Sequence, residues 1–198
     1  LFADTFQFVN FGESDATFWS PPDSDIKFRP LPKLLRNYRT SNAVTKFMNT
    51  MAGTKLQKLN IEGQLYGPVK AKSAEWVLKL EEAVEKLLEY FEPSEIVVLS
   101  PSRNFIENKF KELNQEKLFG TNYILDIRDK SYVDNDGILF SSVRRFTGRQ
   151  SKAVILLLPD EKVMREEIAL NYSQLAFIGA GRAEHTLWVI HSPGIDNK

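Results

Sequence analysis

Apolar residues recur every three or four positions in several segments of the chain, which is the period of an amphipathic helix. The clearest segment is 73–91, where the glutamates fall between the apolar positions and are expected to face water. The apolar stripe of this predicted helix consists of Val77, Leu80, Val84, Leu87, Leu88 and Phe91. Further helices are predicted at residues 40–51, with Thr40 or Ser41 as the N-cap, at 102–114 and at 166–179.

Short and nearly continuous apolar runs lie between these helices. Such runs are typical of strands that are buried on both faces. They predict strands at residues 95–100, 122–127, 137–142, 152–158 and 186–191. Strands that alternate with helices predict an α/β domain with a largely parallel sheet. In such sheets ligands bind beyond the carboxyl ends of the strands, and we expect the site there.

The composition narrows the class of protein. The 198 residues, of which 42% are hydrophobic, are enough for one domain with a proper core. The absence of cysteine excludes a disulfide framework and a cysteine-based metal site, and it fits a cytoplasmic location. No apolar run approaches the roughly 18 residues that a membrane span needs, and no signal peptide is visible. Because the chain begins at Leu1, inside a predicted strand, we expect it to be part of a longer protein.

The net charge is zero, with 26 basic and 26 acidic residues, but the charges are unevenly distributed. Residues 1–25 hold five acids and no base, whereas residues 26–61 hold eight lysines and arginines and no acid. Residues 138–159 hold Arg144, Arg145, Arg149 and Lys152, again without an acid. Two acid-free basic stretches favour an anionic partner such as phosphate or nucleic acid, and the alternative is an ordinary solvated surface.

Several familiar sites are excluded or disfavoured. No glycine is followed by lysine, so the chain lacks a phosphate-binding loop of the G-x-x-x-x-G-K-[ST] type. Without that loop, Asp160 and Glu161 are interpreted as a turn at a strand end rather than as magnesium ligands. The stretch 134–137 lacks the ligand spacing of a calcium loop and is interpreted as a turn. His185 and His191 stand alone.

The remaining polar signals lie in four stretches, two of which carry an arginine beside a predicted helix end. Arg39 comes just before a helix N-terminus, itself an anion site, and Arg182 follows a cluster of small residues. The simpler explanation of each arginine is a structural salt bridge. The four stretches are DTFQ (4–7), LLRNYRTS (34–41), SSVRRFTGRQ (141–150) and FIGAGRA (177–183).

In order, these stretches resemble motifs III, IV, V and VI of superfamily 1 DNA helicases of the UvrD/Rep/PcrA type, with residues 37–39 and 179–183 the most specific. The resemblance covers nearly the whole chain. It implies a single RecA-like three-layer domain over residues 1–198, in which 1–33 form a junction with motif III and 34–198 carry motifs IV to VI. This would be the second motor domain. The N-terminal RecA-like domain, with the phosphate loop, would lie outside the chain.

The resemblance also implies roles for individual residues. ATP with Mg²⁺ would be held mainly by the N-terminal domain, and Arg39 and Arg182 would reach its γ-phosphate. A planar guanidinium that is always charged suits that task. Gln7 would contact the γ-phosphate or the attacking water. Gly148 and Gln150 would contact the nucleotide sugar. The residues that would contact single-stranded DNA are Ser142, Arg144 and Arg145.

The chain departs from the family pattern at three places. Motif V usually reads Lys-Gly-Leu-Glu but is Thr-Gly-Arg-Gln at residues 147–150, Arg144 replaces a histidine, and Gly181 replaces a hydroxyl residue. The first interpretation is the C-terminal half of an ATP-dependent helicase or translocase, inactive as a hydrolase on its own. The alternatives are a non-catalytic helicase-like scaffold or regulatory module that binds a nuclease or repair partner, and a nucleotide-binding α/β domain of unrelated function.

Overall fold

The computed structural model describes residues 39–52, 55–56, 61–116, 122–125, 137–160 and 172–193. Within these residues the helices are α1 (Asn42–Ala52), α2 (Trp76–Leu88), α3 (Arg103–Glu116) and α4 (Tyr172–Ala180). The strands are β1 (Gln64–Lys70), β2 (Ile96–Ser100), β3 (Tyr123–Ile124), β4 (Ile138–Ser142), β5 (Ser151–Leu158) and β6 (Ala183–His191). Short 3-10 turns at Ser73–Glu75 and Pro93–Glu95 precede α2 and β2.

The six strands form one sheet in the order β1-β6-β5-β2-β4-β3, and every neighbouring pair is parallel. Side chains of a strand alternate between its two faces. In the central strand β2, Val97 and Leu99 therefore join a core with α1 and α4, whereas Ile96 and Val98 join a second core with α2 and α3. Helices thus cover both faces, which confirms the predicted α/β RecA-like three-layer fold.

The strands predicted from apolar runs agree with the structure. β2, β4 and β5 begin within one residue of the predictions, and every residue of β2 and β4 is buried. Two strands differ from the predictions. Among the described residues of the predicted strand 122–127, only Tyr123–Ile124 form β3, and β6 begins at Ala183 rather than at residue 186. The earlier start makes Arg182 the residue that directly precedes the strand.

The helical predictions also hold where the structure describes them. In α2 the predicted positions Leu80, Val84 and Leu87 are buried, and Trp76 is buried in addition. Since α2 ends at Leu88, Phe91 packs on the core from beyond the helix. Among the described helices, none is both long and apolar enough to cross a membrane.

The edge strand β1 was not predicted. Its sequence, QLYGPVK, contains Gly67 and Pro68, which interrupt any strand pattern. Proline is tolerated here because β1 pairs only with β6 and its other side lies at the sheet edge. The register with β6 shifts between Tyr66 and Val69, where the two residues lie.

Several predicted features lie outside the described residues. These are the junction 1–33 with Gln7, residues 34–38 of the stretch LLRNYRTS, residues 126–127 of the predicted strand 122–127, most of the turn 134–137, Glu161, and the first part of the predicted helix 166–179.

Candidate functional site

The N-terminus of α1 follows Arg39 and is fixed to the start of β6. Ser41 is fully buried, and its backbone N–H donates a 3.0 Å hydrogen bond to the carbonyl oxygen of Glu184. The Ser41 hydroxyl accepts a 3.4 Å hydrogen bond from the N–H of Val44, so Ser41 is the N-cap. Arg39, two residues earlier, is exposed. Arg39 therefore lies two residues before the N-cap of a helix, where the backbone also favours anions.

Buried hydroxyl groups hold this helix start in place. The Thr45 hydroxyl donates a 3.0 Å hydrogen bond to the carbonyl oxygen of Ser41, and it lies 3.1 Å from the hydroxyl of Thr40. All three side chains are at most 2% exposed. Because each buried hydroxyl has a partner, the network fixes the backbone that follows Arg39.

Arg182 lies just past the C-terminus of α4, as the sequence predicted. Its backbone N–H donates a 3.1 Å hydrogen bond to the carbonyl oxygen of Gly179, which closes the last turn of the helix. Arg182 is only 5% exposed, so it is buried although it carries a charge. The negative end of the helix dipole is a favourable place for a cation.

The segment with Gln150 meets the segment with Arg182. The backbone N–H of Ser151, the first residue of β5, donates a 3.0 Å hydrogen bond to the carbonyl oxygen of Arg182. Gln150 therefore lies one residue from a direct contact with Arg182. Together with the bond between Ser41 and Glu184, this contact joins three of the predicted motifs at one place.

That place is the amino edge of the sheet and not the carboxyl edge. Arg182 precedes β6, Gln150 precedes β5, and Arg39 is anchored beside Glu184, the second residue of β6. Ligands are expected beyond the carboxyl ends of the strands, whereas these three residues lie at the opposite edge. They lie there because each comes before a helix or strand rather than after a strand.

The turn between β4 and β5 carries the predicted DNA contacts. Its first residues fold back onto Ser142. The N–H of Phe146 donates a 3.1 Å hydrogen bond to the Ser142 carbonyl oxygen, and the N–H of Arg145 donates a 3.3 Å hydrogen bond to the Ser142 hydroxyl. Phe146 is buried in the core and anchors the turn, whereas Arg145 is exposed. Arg145 is therefore presented by a backbone that the core holds in place.

Ser142 itself lies elsewhere. It is the last residue of β4, at the carboxyl edge, paired in register with Ser100 of β2. It is 5% exposed, and its hydroxyl accepts the N–H of Arg145. The structure therefore shows Ser142 as the cap of the turn and does not bring it together with Arg39 and Arg182.

Two side chains of this turn contain buried nitrogens without a hydrogen-bond partner. They are Nε of Arg144 and Nε2 of Gln150. A buried donor without a partner costs free energy, roughly 1–3 kcal/mol in proteins. Each nitrogen is suited to a ligand that offers an oxygen acceptor. Gly148, between the two, has a φ of +84° and open space around its Cβ position, so the backbone there is accessible.

Lys152 is paired with a carboxylate of the same chain. Its ammonium group forms an ion pair with the carboxylate of Glu95 on the 3-10 turn before β2. The hydrogen bond from Lys152 lowers the pKa of Glu95, and the same bond raises the pKa of Lys152. Lys152 therefore belongs to a structural pair rather than to an anion site.

The other titratable candidates do not form a site. The His185 ring lies 5.8 Å from the ring of Phe91, and Nδ1 of the buried His191 contacts the carbonyl oxygen of Ser192 at 2.9 Å. Asp160 is exposed after the end of β5. Across the described part of the chain, no three histidine or carboxylate side chains are grouped so as to hold a metal ion.

One contact at this edge was missed by sequence reasoning. Gly63 packs directly against Ser41 and against the carbonyl oxygen of His185. A single glycine between polar residues gives no local signal of such a contact, because the partners are about 20 and 120 residues away in the chain.

Comparison with known proteins supports the fold. No protein-family model and no curated protein matches the sequence. Among solved structures, the chain is similar to the C-terminal domain of a possible DNA helicase from Lactobacillus plantarum WCFS1. The TM-score is 0.51 at 14% sequence identity, with 79% of this chain and 88% of the other covered. This likeness shows a shared fold.

Proposed function

We propose that this chain is the C-terminal motor half of a UvrD-like superfamily 1 DNA helicase or translocase. In this function Arg39 and Arg182 contribute positive charge to the polyphosphate of ATP, which a separate N-terminal RecA-like domain holds together with Mg²⁺. The observation that carries the proposal is the meeting of three motif segments at the amino edge of the sheet. Two backbone hydrogen bonds make that meeting, from Ser41 to Glu184 and from Ser151 to Arg182.

The chemistry of phosphoryl transfer explains why two arginines would be useful there. The protein contributes mainly positioning and electrostatic stabilisation as charge develops on the transferred group. Arg39 and Arg182 come from different elements, so they can approach one phosphate group from two directions. Their backbones are anchored to the same strand, β6, which limits their relative motion. The donor nitrogen of Gln150 would serve an oxygen of the same nucleotide.

The turn between β4 and β5 would contribute to the track for single-stranded DNA. Phosphate groups of DNA are bound mainly by arginine and lysine, with a strong dependence on salt. Arg145 is exposed on this turn, and Nε of Arg144 lacks a hydrogen-bond partner. Ser142 is engaged as a cap, so in this proposal its role is to shape the turn.

Binding and turnover by the purified chain test the proposal. We expect weak binding of a fluorescent ATP analogue, loss of that binding in Arg39→Gln and Arg182→Gln, and no hydrolysis. Arg103→Gln is the matched control, because Arg103 forms a surface ion pair with Glu107 on α3. Robust ATP hydrolysis by the chain alone would contradict a site divided between two domains.

A second function is favoured by the burial of Arg182. A side chain that is 5% exposed can serve as a structural cation, as in a non-catalytic helicase-like module that binds a nuclease or repair partner. In that function Arg182→Gln would lower the melting temperature and ATP analogues would not bind. Binding of the analogue with a requirement for Arg182 excludes this second function.

A further inference from the structure

The segment 61–63 touches both halves of the proposed anion site. The carbonyl oxygen of Ile61 accepts a 3.1 Å hydrogen bond from the N–H of Asn42, the first residue of α1. Two residues later, Gly63 lies between Ser41 and the carbonyl oxygen of His185 in β6. The segment therefore lies between the helix start that follows Arg39 and the strand start that follows Arg182.

The contact at Gly63 leaves no room for a side chain. A Cβ atom there would come within 3.0 Å of the His185 carbonyl oxygen and of both Cβ and Oγ of Ser41, closer than real Cβ atoms come to other atoms. Neither partner can move easily. The His185 carbonyl belongs to β6, and the Ser41 side chain is fully buried. A larger residue would have to push the start of α1 away from β6.

We infer that Gly63 is a positioning residue, which sets the separation between the Arg39 and Arg182 segments. The inference rests on the proposed function, because it assumes that both arginines serve one anion. The close approach at Gly63 permits the 3.0 Å bond from Ser41 to Glu184. With a side chain at position 63 that bond opens, and Arg39 moves away from Arg182.

Gly137 provides a matched control. A Cβ atom at Gly137 would also come within 3.0 Å of a backbone carbonyl oxygen, that of Asn122. The neighbouring N–H of Ile138 donates a 2.9 Å hydrogen bond to the same oxygen. Gly137 precedes β4, on the other side of β2 and β5 from β6. Gly137→Ala therefore introduces a comparable clash away from the arginines.

The experiment combines amide hydrogen exchange with binding of sodium tripolyphosphate, a probe that carries the phosphates without the sugar or base. In Gly63→Ala we expect faster exchange at Ser41 and Asn42, unchanged exchange at Ile138, and about tenfold weaker tripolyphosphate binding. In Gly137→Ala we expect faster exchange at Ile138 and an affinity within about twofold of the wild type. A stability effect alone would weaken binding equally in both variants.

A second variant covers the case in which Gly63→Ala does not fold. Ser41→Gly removes the other side of the contact without a clash, and glycine is well accepted at an N-cap. We expect Ser41→Gly to weaken tripolyphosphate binding about threefold. This is the effect expected if the charge-assisted contact of Arg39 with the anion is partly lost. Unchanged affinity in Ser41→Gly and in any folded Gly63→Ala overturns the positioning role alone. Absence of tripolyphosphate binding by the wild type overturns the proposed function and the inference with it.

Discussion

The backbone N–H of Ser151 donates a 3.0 Å hydrogen bond to the carbonyl oxygen of Arg182. This bond joins the first residue of β5 to the residue that precedes β6, before the ladder between the two strands continues. It therefore fixes the turn that ends at Gln150 to the end of α4. The two segments are far apart in the chain, and the sheet register brings them together at one edge.

The fork of the Arg182 guanidinium, in addition to its charge, is predicted to matter for phosphate binding. Arg182→Lys keeps the charge but loses the planar pair of donors, so we expect about threefold weaker tripolyphosphate binding, less than for the charge-removing Arg182→Gln. Isothermal titration calorimetry would measure the change. Arg103→Lys, on the exposed face of α3, should leave the affinity unchanged. Equal affinity of wild type and Arg182→Lys would show that charge alone is used.

DNA binding is predicted to depend on Arg144 and Arg145 through phosphate contacts. Replacing each by glutamine should reduce the slope of log affinity against log salt by about 0.7 per lost contact to single-stranded DNA. Fluorescence anisotropy with a labelled oligothymidine at several salt concentrations measures that slope. Lys152→Gln is the control, since Lys152 is paired with Glu95. A slope that falls only in Lys152→Gln would contradict this assignment of the DNA track.

Gln150 is predicted to tune recognition of the nucleotide sugar. Gln150→Leu removes the buried amide donor Nε2, which is suited to an oxygen of the sugar. We therefore expect about fivefold weaker ATP binding in Gln150→Leu. Tripolyphosphate, which has no ribose, should keep its affinity, so the ratio of the two affinities is the measurement. An equal change for both ligands would show that residue 150 acts on the phosphates.

Gly148 is predicted to be required for its backbone conformation. Its φ is +84°, while the space around its Cβ position is open, so a side chain meets strain but no clash. Gly148→Ala should lower the free energy of unfolding by about 1–2 kcal/mol. Gly148→Asn should lower it less, because asparagine tolerates this conformation better. Urea denaturation measures both, and an equal loss in the two variants would argue against a conformational cause.

The ion pair of Glu95 with Lys152 predicts an acid dependence of stability. The pKa of Glu95 is lowered from its ordinary value of 4.5, chiefly by the hydrogen bond from Lys152. The stability that this pair contributes is therefore present above the unfolded pKa and is lost as the pH falls through the lowered folded pKa. In Lys152→Met, the melting temperature should fall less steeply than in the wild type below about pH 4.5. An acid slope in Lys152→Met equal to that of the wild type would contradict this account.

Much of the fold could be predicted because burial leaves a strong local pattern. β2 and β5 are covered by helices on both sides, so their sequences are continuously apolar. The Leu80 face of α2 follows the helical period for the same reason. β1 escaped prediction because it lies at the sheet edge, where Gly67 and Pro68 are allowed and no such pattern is needed.

The places of the candidate residues beside helix and strand ends could be predicted from the sequence, but their arrangement in space could not. The position of Arg182 after a helix follows from the local sequence. Its contact with Ser151 and the contact of Gly63 with Ser41 depend on strand register and on connections across the sheet. These are long-range properties, and one sequence does not encode them as a local signal. For this reason the sequence alone did not predict that Arg39, Gln150 and Arg182 lie together at the amino edge of the sheet.

The central claim, that Arg39 and Arg182 serve one anion, is tested most directly by a double-mutant cycle. Tripolyphosphate affinity is measured for the wild type, Arg39→Gln, Arg182→Gln and the double variant. Residues that contact one ligand in a shared site are non-additive by roughly 0.5–3 kcal/mol. We predict that each single variant loses about tenfold in affinity and that the double variant loses clearly less than the product. Strict additivity, or wild-type affinity in either single variant, would contradict the claim.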